Sequence, residues 1–144
     1  MISPVATPLA TTAAARVRAH PGFDRVVRLR PGEEATAVRG IPNTLAVFAT
    51  HFPRKPILPG VLLLESMGAL AAAVCEASSS PSWRLSGVRG VRFRHFVGPG
   101  DQVEIHVRVT GHRERSVDFS ASARVGDRTV ATARTLTMTL GEAT

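Results

Sequence analysis

"HFPRKPILPGVLLLESMGALAAAV", residues 51–74, sets Pro53, Pro56 and Pro59 three positions apart, directly against an apolar run that carries one carboxylate, Glu65. From Val61 to about Ala77, Ala and Leu dominate and no proline or β-branched run opposes a helix. Leu62, Leu63, Leu64, Met67, Leu70, Ala71 and Val74 leave hardly any polar stripe, so the helix is expected to be enclosed on most sides. About 17 residues rising 1.5 Å each span about 25 Å, enough to lie along a sheet.

Strands flank this segment on both sides. Val103, Ile105, Val107 and Val109 alternate with Glu104, His106 and Arg108, the period of two of a half-buried strand. Val117, Phe119, Ala121, Ala123 and Val125 repeat it, and Gly126-Asp127 supplies a turn. Val130, Thr132, Arg134, Leu136, Met138 and Leu140 then share the next inward face. Before them, Val91, Phe93, His95 and Val97 oppose Arg92, Arg94 and Phe96, and "GPGD" at 98–101 breaks the chain. Upstream, "FDRVVRLRPGEEATAVRG" reads as two more strands around Pro31-Gly32. These elements predict an α+β fold, a curved antiparallel sheet wrapped around one long central helix.

The chain has 144 residues, 44% hydrophobic and 20% charged, which fits one globular domain, expected at 20–144. Residues 1–19, interrupted by Pro4 and Pro8 and uncharged before Arg16, read as a flexible N-terminal arm and make a poor signal peptide. An acid-free, Arg-containing leader also has the composition of an organelle transit peptide. Cys75 is the lone cysteine and cannot form an internal disulfide. No stretch is expected to reach the length of a membrane span, so a reducing cytoplasm is the default. The formal charge of +7 raises the question of nucleic acid. Seventeen of the 18 basic residues are Arg, spread along the chain, with no Tyr and no interleaving of aromatic and basic residues, so that class is set aside.

Glu65 and His51 are the groups with chemistry to offer. An ionised carboxylate inside an apolar helix costs several kcal/mol unless paired, and desolvation would raise its pKa toward the range of a general acid. The alternative is a Glu in the first turns that reaches water and favours the positive end of the helix dipole. A single His is more often a packed or surface residue than a catalyst. Pro53, Pro56 and Pro59 match a polyproline ligand, but an apolar helix following at once argues against an exposed peptide.

The combination resembles a known family. "HFPRKPILPGVLLLE" is similar to the H-F-P-x-x-P-x-x-P-G-V-L-x-x-E signature of the 3-hydroxyacyl-acyl-carrier-protein dehydratases of the FabZ and FabA type, which have the hot-dog fold. Phe93, Val97, Pro99, Gly100 and Asp101 resemble its F-x-x-x-V-x-P-G-D pattern, "PNTLAVFATHFP" a short helical turn before its histidine, and "ARVGDRTVATARTLTMTL" its terminal hairpin. The resemblance covers about residues 20–140 and implies a catalytic pair, His51 and Glu65, 14 positions apart. In that family the pair assembles across a homodimer interface, which implies a dimer with two shared sites; a higher oligomer or a heterodimer also fits. The prolines would fix the loop carrying His51, and Pro59, Gly60, Val61 and Phe52 would shape the substrate loop. Gly60 and the helix's first amides would stabilise an enolate-like oxygen. No metal or other cofactor is implied, the acyl chain arriving on the phosphopantetheine of acyl carrier protein. Arg54, Lys55, Arg92 and Arg94 are candidates to dock that acidic partner, beside their reading as solvated arginines and lysine.

Two departures stand out. Many members read H-F-P-G-H-P where this chain has Arg54 and Lys55, and the FabZ type carries Ala-x-Ala-Gln after the acid where Ser66, Met67, Gly68 and Ala69 follow. The first adds bulk near the site and the second removes a polar support for Glu65. Both suit a dehydratase of a polyketide or other specialised acyl pathway as well as fatty-acid synthesis. A hot-dog thioesterase would share the fold without needing H-F-P-x-x-P. A non-catalytic or heterodimeric acyl-binding subunit is the remaining alternative.

Overall fold

The computed structural model describes residues 22–42, 57–79 and 82–141. The expected N-terminal arm lies outside them. Six strands and one long helix follow in chain order: β1 (Arg25–Arg30), β2 (Glu34–Gly40), α1 (Gly60–Ser78), β3 (Trp83–Phe93), β4 (Gln102–Arg113), β5 (Ser116–Val125) and β6 (Arg128–Leu140). All strand pairs are antiparallel, in the order β1-β2-β4-β5-β6-β3. The chain therefore crosses from β2 over α1 to the far edge, lays down β3, and returns to fill the middle with β4, β5 and β6.

α1 begins where Pro59, extended at φ −60 and ψ 136, cannot donate a backbone hydrogen bond. It ends in the serine run, where the hydroxyls of Ser78 and Ser79 donate to the Cys75 carbonyl. The β1–β2 turn closes the same end: Gly32, at φ +72, donates its amide to the Val74 carbonyl. A side chain there would need the left-handed region and would meet the Ser78 hydroxyl.

The inward face of α1, Leu63, Met67, Leu70, Ala71 and Val74, is 0–3% exposed and belongs to one core with Ile105, Val107, Phe119, Leu136 and Met138. Each such large side chain stabilises the fold by about 1.5–3 kcal/mol. The helix is not enclosed on most sides, however. Val61, 65% exposed, Glu65 and Glu76 lie on a stripe that the sheet does not reach, with the half-buried Ala69 and Ala72 between them. At 19 residues and mean hydropathy 1.6, α1 also meets the length and composition of a membrane span, correcting the expectation that no stretch does. Half of that span is buried inside the structure, as the core helix of a wrapped sheet should be.

β3 departs from its expected bounds. It starts eight residues before Val91 and ends at Phe93, short of His95 and Val97. Beyond Phe93 the chain leaves the sheet: Arg94 and His95 both direct their amides to the Val130 carbonyl, and Val97 accepts from the Leu58 amide just before α1. β6 departs in phase. Phe119 faces Leu136 but Ala121 faces Ala133, so β6 spends three residues on two of β5. The bulge turns the alternation over: Ala131 and Ala133 point inward with Leu136 and Met138, whereas Arg134 is exposed and Thr132 only half-buried.

Candidate active site

β3 and α1 run antiparallel in contact, and glycines set their separation. Leu85 packs over Gly68, where an added Cβ would meet its Cδ2 at 3.4 Å, an ordinary contact. At the other end the Phe93 ring lies directly on Gly60, and a Cβ there would sit 2.6 Å from Cε1. Gly60 is thus needed for the ring to seat, a reason distinct from the close approach of a substrate carbonyl. Gly60→Ala is expected to displace Phe93, which is 52% exposed and free to swing outward, so its cost falls at the low end of overpacking, about 1 kcal/mol. The urea midpoint of the double variant Gly60→Ala/Phe93→Ala should equal that of Phe93→Ala alone if this contact is the cause.

The start of α1 is chemically open. Pro59 offers no side-chain cap, the first turn holds no acid, and among the described residues nothing accepts from the amides of Gly60 and Val61. Two N–H groups without an acceptor among the described residues, at the positive end of a 19-residue helix, favour a developing negative charge. Glu65 stands one turn after Val61 on the same exposed stripe, and no described residue bonds its carboxylate. In the single subunit the Glu65 side chain is exposed. Arg92 and Arg94, both exposed, flank Phe93 at the end of β3, so the described candidates Pro59, Gly60, Val61, Glu65, Arg92 and Arg94 gather at one end of the molecule. His51, Phe52, Arg54 and Lys55, and all but Pro42 of the expected turn before them, lie outside the described residues.

Sequence reasoning missed the polar support behind Glu65. Ser66 is fully buried, and Arg39 on β2, only 9% exposed, donates from Nη1 to its hydroxyl at 2.9 Å and toward the Leu62 carbonyl at 3.4 Å. The signal was present: Arg39 is in phase with Ala35 and Ala37, both 0% exposed and members of the core, so period two turns it toward the helix.

The other polar cluster lies on β1, β2 and β4 around the Gly32 turn, at the opposite end of α1. A cleft of about 440 Å³ is bounded there by Arg30, Glu33, Glu34, Arg108 and His112. His106 Nε2 and Arg30 donate to Glu34 at 3.0 and 2.7 Å and hold its carboxyl below the ordinary value of 4.5. A depressed carboxylate stabilises above its unfolded pKa and loses that contribution as pH falls through the folded one. The wild-type urea midpoint should therefore fall as pH drops below 4.5, and Glu34→Gln should lose part of that dependence while lowering the midpoint near neutrality. Equal slopes in the two proteins would refute the linkage. Cys75 offers no nucleophile, since burial, helped by the Glu76 charge, pushes its thiol up to about 12.

A six-stranded antiparallel sheet wrapped on one apolar helix is the hot-dog fold. Within it, the chain belongs to the ApeI-like dehydratase family, described as ApeI dehydratase, whose pattern its residues 28–134 match. It is 35% identical over 121 residues, 80% of this chain and 78% of the relative, to a 3-hydroxyacyl-[acyl-carrier-protein] dehydratase FabZ of Anaeromyxobacter sp. (strain K). It is 40% identical over 106 residues, 71% of each chain, to the FabZ of Actinobacillus succinogenes. Among solved structures, the dehydratase heterocomplex ApeI:P of Xenorhabdus doucetiae superposes with a TM-score of 0.65 at 16% identity, covering 81% of this chain and 80% of that one. The PaaI protein of E. coli superposes with a TM-score of 0.66 at 12% identity, covering 83% and 80%. At these identities the likeness of the structures is one of fold.

Proposed function

We propose that the protein is a hydro-lyase that eliminates water from a (3R)-3-hydroxyacyl thioester on acyl carrier protein to give the 2-enoyl thioester. The observation that carries this reading is the placement of Glu65 on the open stripe of α1, one turn beyond the Gly60 and Val61 amides, which no described residue caps, in a chain that also has the family's histidine motif at His51. The thioester oxygen binds at those amides, which take up charge as the α-proton leaves to His51. The Cα–H electron pair becomes the new double bond, the Cβ–O bond breaks, and Glu65 gives its proton to the departing hydroxyl, which leaves as water. The elimination needs no resident cofactor, because phosphopantetheine arrives with the substrate.

The site is read as shared between two subunits. β3 is bonded to β6 along one side, and among the described residues its other edge is unpaired over 11 residues. Val61, Leu85 and Phe93, exposed at 65%, 37% and 52%, lie on the same flank as Glu65, an apolar surface that a second copy would cover. The homodimer is the form proposed, with His51 of one subunit facing Glu65 of the other. The acidic carrier would dock on Arg92 and Arg94 beside this flank, with Arg54 and Lys55 of the motif loop as further contacts. A cytoplasmic role in fatty-acid or polyketide-type synthesis is the setting that fits.

Intact-mass spectrometry of carrier protein loaded with short and medium (R)-3-hydroxyacyl chains tests the reading. Loss of one water from the acyl group, absent with His51→Ala, supports it. No loss with any chain, despite binding of the carrier, would replace it with a non-catalytic or heterodimeric subunit.

A further inference from the structure

A guanidinium that is nine-tenths buried is expensive unless its donors are used, and no carboxylate pairs with Arg39 among the described residues. Its Nη1 instead serves the second turn of α1: Ser66 Oγ at 2.9 Å and the Leu62 carbonyl at 3.4 Å. Ser66 in turn donates to the carbonyl of Gly22, which precedes β1. One cation thus ties β2, the chain before β1 and the helix together at the residue directly after Glu65. Removing the charge would leave the buried Ser66 hydroxyl without its donor, while the Leu62 carbonyl would keep the Ser66 hydroxyl at 3.1 Å. Keeping it fixes the rotation of the turn, so that Met67 and Leu63 face the core and Val61 and Glu65 face outward.

We propose that Arg39 is a positioning residue for the dehydration: through Ser66 and Leu62 it holds the turn that carries Glu65 and follows the Gly60 and Val61 amides, without touching substrate. This rests on the proposed activity for its kinetic consequence, but its structural content is independent of it. A cleft of about 560 Å³, bounded by Asp24, Gly40, Ile41 and Gly100, is also lined by Arg39. A direct role in binding is therefore the rival that the test must separate.

The experiment compares wild type, Arg39→Met, Arg39→Lys, Ser66→Ala and the Arg39→Met/Ser66→Ala double variant in steady-state dehydration and in amide hydrogen exchange. A misplaced turn should lower the kcat of Arg39→Met by about 10–100-fold with KM within about twofold. Arg39→Lys should recover most of that, because among the described residues the bonds come from Nη1 alone and no bidentate geometry is required. The double variant should be little worse than Arg39→Met, since both remove one connection. Exchange should quicken by about tenfold at residues 62–66 and not in β4 or β5, which separates a local release from general loosening. An increase in KM alone would overturn the proposal in favour of substrate contact. Unchanged kcat, or unchanged exchange at the turn, would overturn it outright. If Arg39→Met does not fold, Ser66→Ala and Arg39→Lys carry the same comparison. If wild type releases no water, the proposed activity falls, and the exchange data still decide whether Arg39 holds the turn.

Discussion

Glu65→Gln is expected to lower single-turnover dehydration by about 10²–10⁴-fold, the range supplied by a positioned general acid. The amide keeps the size and the hydrogen-bonding reach of the carboxyl but cannot give a proton to a departing hydroxyl. The variant is informative because Glu65 does little for the fold. It lies on the exposed stripe of α1, and no described residue bonds its carboxylate, so the melting temperature should move by less than a surface substitution usually allows, about 0.5 kcal/mol in equivalent stability. Carrier binding should also persist, because docking is assigned to basic side chains and not to this carboxylate. Retention of more than about a tenth of the wild-type rate would remove Glu65 from the proton inventory and leave the free amides and His51 to account for the chemistry.

The helix and the central strands were legible because their patterns are strong and locally determined. Leu63, Met67, Leu70 and Val74 repeat at helical spacing, and Val103, Ile105 and Val107 alternate without interruption, so the core face of each follows from the sequence. β3 was legible only in part. As an edge strand exposed along most of its length, with Gly87 and Gly90 inside it, it has no apolar face of its own to repeat. Its position next to β6 rather than β4 depends on a crossover that no local pattern encodes. The phase of β6 failed for another reason: a bulge opposite Phe119 and Ala121 inserts one residue, and nothing in "VATARTLTM" marks where. At the proposed site, Glu65, Gly60 and Val61 were singled out through the motif, and the fold places them together at the start of α1. Arg39 was overlooked because its partner is 27 residues away, although its phase with Ala35 and Ala37 pointed inward. The exposure of Glu65 follows from geometry the sequence does not contain, namely how far a six-stranded sheet reaches around a helix.

That exposure makes the shared site testable by complementation. His51→Ala and Glu65→Gln should each be close to inactive alone, whereas an equimolar mixture, unfolded and refolded together, should recover about a quarter of wild-type activity. The fraction follows from symmetry. Half of the dimers are mixed, and each mixed dimer joins the intact His51 of one subunit to the intact Glu65 of the other at one of its two sites. The remaining site of that dimer carries both substitutions, and the parental dimers contribute nothing. If His51 and Glu65 of the same subunit formed the site, every site in the mixture would lack one of them, and activity would stay at the level of the single variants. Mixing without unfolding provides the control, since subunits that do not exchange cannot form the mixed dimer. Recovery should therefore track the appearance of that dimer, followed with a mass-tagged subunit. A mixture in which mixed dimers form and activity does not return would refute the shared site while leaving the dehydratase chemistry of a single subunit to be judged by Glu65→Gln alone.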